Sequence, residues 1–222
     1  MDNNAEIETQ NVDELFLQVR TAHRLLAAYY QRLLPTVEQI ASNNGTNFWF
    51  WYTCRFSKTA RNPFSNWKWD MLPASIPSYV FKSIDSFESV KKGDLILEFI
   101  VINDSGIRDE PRRPEPDALN MQVNVNEAKS LLKINIYKAY RDQSGKFEAV
   151  WDQVAYPKVN DSYQCSLDDS FVTTAFEVPL SELLTEDGVN RINERITTSI
   201  RKAEEFQLAS VEEENKARKM GL

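Results

Sequence analysis

The sequence predicts an α+β fold, an antiparallel sheet of about five to six strands flanked by long N-terminal and C-terminal helices. Three observations predict it. Apolar residues recur at three-four spacing near both ends of the chain. Between them lie short apolar runs bounded by turn residues, as strands are. No strand alternates regularly with a helix, as a parallel βαβ sheet would require.

The first helix is expected to start near Asn11, which can accept from the orphan amides of a first turn. Glu14 stands where a capping-box acid belongs. Val12, Leu15, Phe16, Val19, Ala22, Leu26, Tyr29, Leu33 and Val37 then make one stripe for burial. Pro35 should end or kink the helix near Leu33 or Leu34, with one more turn to Ile40. The Ser42–Gly45 cluster reads as a turn.

From Asn47 to Ser57 the pattern is that of a strand. Phe48, Phe50, Tyr52, Cys54 and Phe56 are expected on one face, and Trp49, Trp51, Thr53 and Arg55 on the other. Residues 58–78, with Pro63, Pro73 and Pro77, read as a long ordered loop. Asp94 to Asn103 is apolar on both faces except for Glu98 and reads as a central strand. Residues 104–117, with three prolines and charges of both signs, read as a surface loop. Ser130–Tyr140 reads as a strand, Gln143–Lys146 as a hairpin turn around Gly145, and Phe147–Val154 as the returning strand. Phe171–Val178 is a further strand, closed by Pro179. Thr185 is the N-cap candidate of the last helix, whose stripe is Val189, Ile192, Ile196, Ile200, Ala203 and Phe206. The two terminal helices are expected together on one face of the sheet. Residues 1–10 are expected to be flexible, 11–206 to form one domain and 207–222 a charged helical tail.

Composition narrows the chemistry. At 222 residues with net charge −7, the chain can build a sizeable core but is too acidic for a general coat on duplex DNA. Its start lacks the basic and apolar regions of a secretory leader, and the apolar runs are too short to span a membrane. Cys54 and Cys165 are too few for a disulfide framework, which suits reduced thiols and a cytoplasmic location. His23 is the only histidine, so a nucleophilic triad or a histidine-rich zinc site is not expected. No Gly-rich phosphate loop or GxSxG elbow is present. No cofactor is expected.

The strongest local departure from average is Asn47–Trp69, which holds nine aromatic rings and no acid. Arg55, Lys58, Arg61 and Lys68 are interleaved with Trp67 and Trp69. Rings stack bases and cations pair with phosphate, so these six residues are the candidate binding face for a nucleotide or single-stranded nucleic acid. The competing reading makes the rings core and the cations solvated loop charges. A second set is Asp94, Glu98 and Asp104, in step along one strand, with Asp70 approaching from a turn. Clustered carboxylates hold divalent metal in many nucleases. The expected acid-x-lysine is missing, and Ile100 and Ile102 fall between the acids, so Glu98 reads better as the partly buried partner of a lysine or arginine.

These readings converge on a non-enzymatic binding or adaptor protein acting through residues 55–69. A protein partner is expected first, a nucleotide or single-stranded nucleic acid second, and no membrane. The alternatives are a metal-dependent hydrolase or nuclease with a carboxylate site, and a structural subunit of a larger assembly.

Overall fold

The computed structural model describes residues 3–219 except 57–63, 65–66, 87, 112, 145–146, 152–153, 155, 161 and 166–170. Lys58 and Arg61 lie outside the described residues. The chain divides into two units, Met1–Gln39 and Ile40–Leu222.

The first unit is helix. Its single element, α1 (Asn3–Asn43), begins eight residues ahead of Asn11, which therefore lies inside the helix instead of capping it. Pro35 is also internal. Proline removes one backbone bond, and beside the gap Thr36 Oγ1 donates to the Arg32 carbonyl at 2.9 Å. The expected burial of the whole stripe does not hold. Val12, Leu15, Phe16, Val19 and Leu26 are 43–56% exposed, whereas Leu33 and Val37 are buried.

In the second unit α1 closes its last turn, and Gly45 takes the left-handed conformation (φ +72°) that reverses the chain. A six-stranded antiparallel sheet follows, in the order β1-β2-β4-β5-β8-β7. The strands are β1 (Asn47–Thr53), β2 (Pro77–Lys82), β4 (Leu95–Ile102), β5 (Leu131–Ala139), β7 (Gln164–Cys165) and β8 (Phe171–Pro179). A separate ribbon pairs β3 (Ser89–Val90) with β6 (Gln143–Ser144). Short helices α2 (Ser105–Asp109) and α3 (Phe147–Trp151) sit in the connections, and α4 (Glu186–Lys219) ends the chain. The α+β class and the antiparallel sheet are as the sequence predicts.

Cross-strand register divides the side chains between two faces. Leu97, Phe99, Leu132, Ile134, Ile136 and Phe176 alternate onto one face and are buried. Helix α4 covers β5 and β8 on that side, burying Ile192, Ile196 and Ala203. Arg195 holds its guanidinium 4.1 Å from the centre of the Phe176 ring, and Lys138 pairs with Glu204 at 3.7 Å. Thr185 caps α4 as expected, its Oγ1 accepting from the Gly188 amide at 3.1 Å.

The other face carries Val80, Ile96, Tyr137 and Ala139, covered by Phe147 of α3 and flanked by Trp49, Phe50 and Trp151. Phe147–Trp151 is a helix, not the returning strand the sequence suggests. The four-residue spacing puts both rings on one side of the turn, where Phe147 meets Trp49 at 5.1 Å and Trp151 meets Tyr137 at 4.7 Å. Likewise β6 pairs with β3, not with residues 147–154. Strand β2 overlaps the expected loop only at Pro77 and Ser78 and otherwise falls where the sequence reading places no element, and a bulge between Phe48 and Phe50 breaks the simple alternation of β1. Phe48 and Trp51 therefore share a face, against Phe81 and Tyr79 respectively, while Phe50 and Tyr52 lie opposite.

Candidate functional site

Two places in the second unit bring chemistry together. The first is the middle of the sheet face opposite α4. Register sets Ser78, Glu98, Asn135 and Tyr137 there, on β2, β4 and β5, with Tyr52 beside them on β1. Glu98 is fully buried, so its lone pairs must be matched inside the protein. They are. Oε1 accepts from Tyr52 Oη at 2.5 Å and from Ser78 Oγ at 2.7 Å. Oε2 accepts from Asn135 Nδ2 at 2.8 Å and Tyr137 Oη at 3.1 Å. Tyr156 reaches in from the loop after α3, its hydroxyl in short contact with that of Tyr52 and 3.5 Å from Glu98 Oε1. Asn135 Oδ1 is buried and has no partner.

The expectation that Glu98 pairs with a lysine or arginine is thus corrected: its direct donors are hydroxyls and an amide. Lys133, two residues along β5 from Asn135, sits half-buried and is 3.5 Å from the Pro157 carbonyl. Burial lowers its pKa, opposed by the negative charges of Glu98 and Glu177. Burial also raises the pKa of Tyr52, Tyr137 and Tyr156, and the charge of Glu98 pushes all three the same way. Cys54 is pushed up to about 12 by shielding of its sulfur first and by Glu98 second. These hydroxyls and this thiol keep their protons at neutral pH. The centre is a set of neutral donors around one carboxylate, and it offers no activated nucleophile.

The carboxylates named as a metal set are used separately. Asp94 Oδ2 closes a turn on the Lys91 amide at 2.7 Å, and Asp104 Oδ1 caps α2 on the Gly106 amide at 2.7 Å. The two flank β4, about 30 Å apart along an extended strand. Asp70 lies in a 3₁₀ turn, Lys68–Met71. Among the described residues no group of three or more His, Cys, Asp and Glu side chains converges as a metal site needs.

The second place is the aromatic-basic segment. Trp67 and Trp69 are half-buried against a cluster of Phe56, Ile76, Ile100, Ile102 and Ile107. Trp69 lies nearly parallel to Phe56 at 5.1 Å, and its Nε1 donates to the Pro116 carbonyl at 2.8 Å. Arg55 donates to the carbonyls of Glu110 and Pro111. Glu115 accepts from the amides of Lys68 and Trp69. The proline-rich loop after α2 is therefore laid against this segment, and Arg55 and Trp69 serve that contact, while Trp67 packs on the apolar cluster. Lys68 stays exposed. Large apolar side chains are exposed at two places, Phe48 (52%) and Trp51 (42%) on β1, and Phe64 (90%), Met71 (60%) and Leu72 (47%) in the connection that follows it. Strand β1 is the edge of the sheet.

The Tyr-Glu-Tyr centre was missed from sequence. The one signal was a single acid in an otherwise apolar strand, and its donors lie on strands that only pairing brings together.

Fold and site define an α+β protein, built on one antiparallel sheet, with a buried carboxylate centre and an aromatic sheet edge. Residues 9–205 match the model of the PM0109 family, and the chain belongs to that family. No curated protein and no solved structure matches it. Among the described residues no helix is long and apolar enough to cross a membrane.

Proposed function

We propose that this is a non-enzymatic binding or adaptor protein that engages a protein partner along the edge strand β1 and the adjoining segment through Leu72. One observation carries the reading: β1, an edge strand of the sheet, exposes two large rings, Phe48 and Trp51, which the cross-strand register sets on one face. Natural proteins usually protect such edges with charge or proline. An uncovered aromatic edge suits a partner that adds an extended segment by backbone hydrogen bonds and buries its own apolar side chains between the rings. Lys68, exposed in the segment that follows, supplies a cation that steers an acidic partner surface.

A protein partner is favoured over a nucleotide by the use already made of the rings and acids. One face of Trp69 is taken by Phe56, and Glu115 occupies the amides at Lys68 and Trp69, where a phosphate would otherwise be received. The protonated hydroxyls around Glu98 support the non-enzymatic half of the reading, with that centre fixing β1, β2, β4 and β5 beneath the edge.

The test is co-purification from the native host of the wild-type chain and of a Phe48→Ser/Trp51→Glu variant. Native mass spectrometry and the 260/280 nm absorbance ratio identify what comes with it. A protein at fixed stoichiometry that is lost from the variant supports the proposal. A bound nucleotide or nucleic acid, or a protein retained by the variant, would sink it.

A further inference from the structure

We propose that Tyr137 is a redox-active tyrosine, oxidised by one electron through Trp151 and Trp49 while its proton passes to Glu98. Glu98 is fully buried, and its close donors, Tyr52, Ser78, Asn135 and Tyr137, bring it no positive charge. Lys133 acts on it through space, with its amine turned to the Pro157 carbonyl. A charge held in the interior without a bonded counter-ion is costly. A step that neutralises it without moving a heavy atom is favoured here.

The tyrosine and its proton acceptor are already in place. Tyr137 is 2% exposed, and its hydroxyl donates to Glu98 Oε2 at 3.1 Å. Burial and the Glu98 charge keep that hydroxyl protonated, so the neutral phenol is what an oxidant meets. Taking an electron from the ring makes the hydroxyl strongly acidic. Its O–H bond then breaks, the proton crosses the existing hydrogen bond, and a new O–H bond forms at Oε2. Tyr137 is left as a neutral phenoxyl radical, and Glu98 as a neutral acid donating back along the same line. The electron reduces the oxidant, and the centre has lost its negative charge.

The path for the electron is a chain of rings. The Tyr137 ring meets Trp151 at 4.7 Å, and Trp151 meets Trp49 at 6.4 Å. Both indoles are half-buried, so the chain of contacts runs from the interior to the surface. Indole and phenol give up an electron far more readily than the phenyl rings of Phe50 and Phe147, which pack around them. The Lys82 ammonium stands 5.3 Å from the centre of the Trp49 ring and disfavours a lasting positive charge there. The charge left by the departing electron is therefore drawn inward, toward the carboxylate. The co-reactant this arrangement takes is a one-electron oxidant that stays in solvent beside Trp49.

The experiment is flash oxidation of the full chain by photogenerated tris(bipyridine)ruthenium(III), with Cys54→Ser and Cys165→Ser so that no thiol competes. Electron paramagnetic resonance of samples frozen after the flash identifies the radical, and transient absorbance follows it. The expected result is a neutral tyrosyl radical that outlives the radical of free tyrosine several-fold in the same buffer. Tyr137→Phe should abolish it, while Tyr79→Phe, on the opposite face of the sheet, should leave it. Trp151→Phe should slow its formation several-fold, and Glu98→Gln, which cannot take the proton, should do the same. Formation should also be slower in heavy water, a comparison that needs no further variant. Circular dichroism shows that each variant is folded. A long-lived radical that survives Tyr137→Phe, formation indifferent to Trp151→Phe, or equal rates in light and heavy water would each overturn the proposal.

Discussion

Glu98 Oε2 receives the Asn135 amide at 2.8 Å across the β4–β5 pairing, in the fully buried middle of the sheet. This bond is one of four direct links that draw β1, β2, β4 and β5 to a single carboxylate. Two apolar clusters lie on that same face, one under Phe147 and the other under Trp67 and Trp69. The polar centre sets the register of four strands where apolar packing alone would tolerate a slip.

Glu98→Ala should therefore be costly. Removing the carboxylate orphans the Tyr52, Ser78, Asn135 and Tyr137 donors, only the first of which is near enough to the surface to find water. Hydrogen bonds to a charged group are worth about 1.5–3 kcal/mol each, and stranded buried donors add their desolvation. The expected loss is at least about 3 kcal/mol in urea unfolding. A loss below about 1 kcal/mol would show that water replaces the carboxylate freely.

The tyrosines make the fold sensitive to alkali. Tyr137 is fully buried and its pKa is raised by burial and by Glu98, so its hydroxyl keeps its proton in the fold beyond the pH at which the unfolded chain loses it. The unfolded state then binds fewer protons, and stability falls as pH rises. The contribution is fully present below pH ~10 and is lost above it, by up to about 1.4 kcal/mol per pH unit for each such group. Tm measured between pH 8 and 11 should drop steeply at the upper end, and Tyr137→Phe should flatten that drop while lowering the Tm at pH 8.

How much of this was legible in the sequence depends on how local each signal is. Strand β4 is a continuous apolar run, and the sequence placed it within a residue at each end. The N-cap of α4 is likewise local, and Thr185 performs it. Strand β2 was lost because Pro77 and Lys82 bracket only three strong strand formers, Tyr79, Val80 and Phe81. Residues 147–151 satisfy both periods, since Phe147, Ala149 and Trp151 alternate while Phe147 and Trp151 also lie one helical turn apart. Packing against Trp49 decided for helix. The centre around Glu98 could not be read, because Tyr52, Asn135 and Tyr156 lie 37 or more residues away and none is unusual alone. The six residues proposed for binding are a run of sequence, yet what the fold does with Arg55 and Trp69 depends on a loop that begins 55 residues after the arginine.

Cys54 is exposed, yet its thiol should react slowly at neutral pH. The Cys54 thiol is pushed up to about 12 by shielding of its sulfur, then by the charge of Glu98, with Lys133 acting in the opposite sense. Iodoacetamide consumes the thiolate, so labelling of Cys54 should be slow at pH 8 and climb toward pH 12. Lys133→Met removes the one favourable charge and should shift that profile to still higher pH. Peptide mapping of the labelled chain separates Cys54 from Cys165, and rapid labelling of Cys54 at pH 8 would contradict the described environment.

Gly188 gives the sharpest steric test. It occupies the first turn of α4, where its amide is held by Thr185 Oγ1 at 3.1 Å. The preceding 3₁₀ turn, Leu180–Leu184, folds back so tightly that a Cβ on Gly188 would stand 2.1 Å from the Glu182 carbonyl oxygen and 2.8 Å from its carbon. Those are backbone atoms, so no side-chain rotation can relieve the clash. Either the 3₁₀ turn moves, disturbing buried Leu180 and Leu183, or α4 tilts away from β5 and β8 and uncovers Ile192 and Ile196. Helix propensity alone would make Gly188→Ala stabilising by about 1 kcal/mol. Overpacking against fixed backbone costs about 1–3 kcal/mol or more and should win, so the expected result is a net loss of at least about 1 kcal/mol. Gly188→Ser should be worse. A more stable Gly188→Ala variant would mean that the 180–188 segment has room to open, and that α4 is seated less firmly on the sheet than its buried isoleucines require.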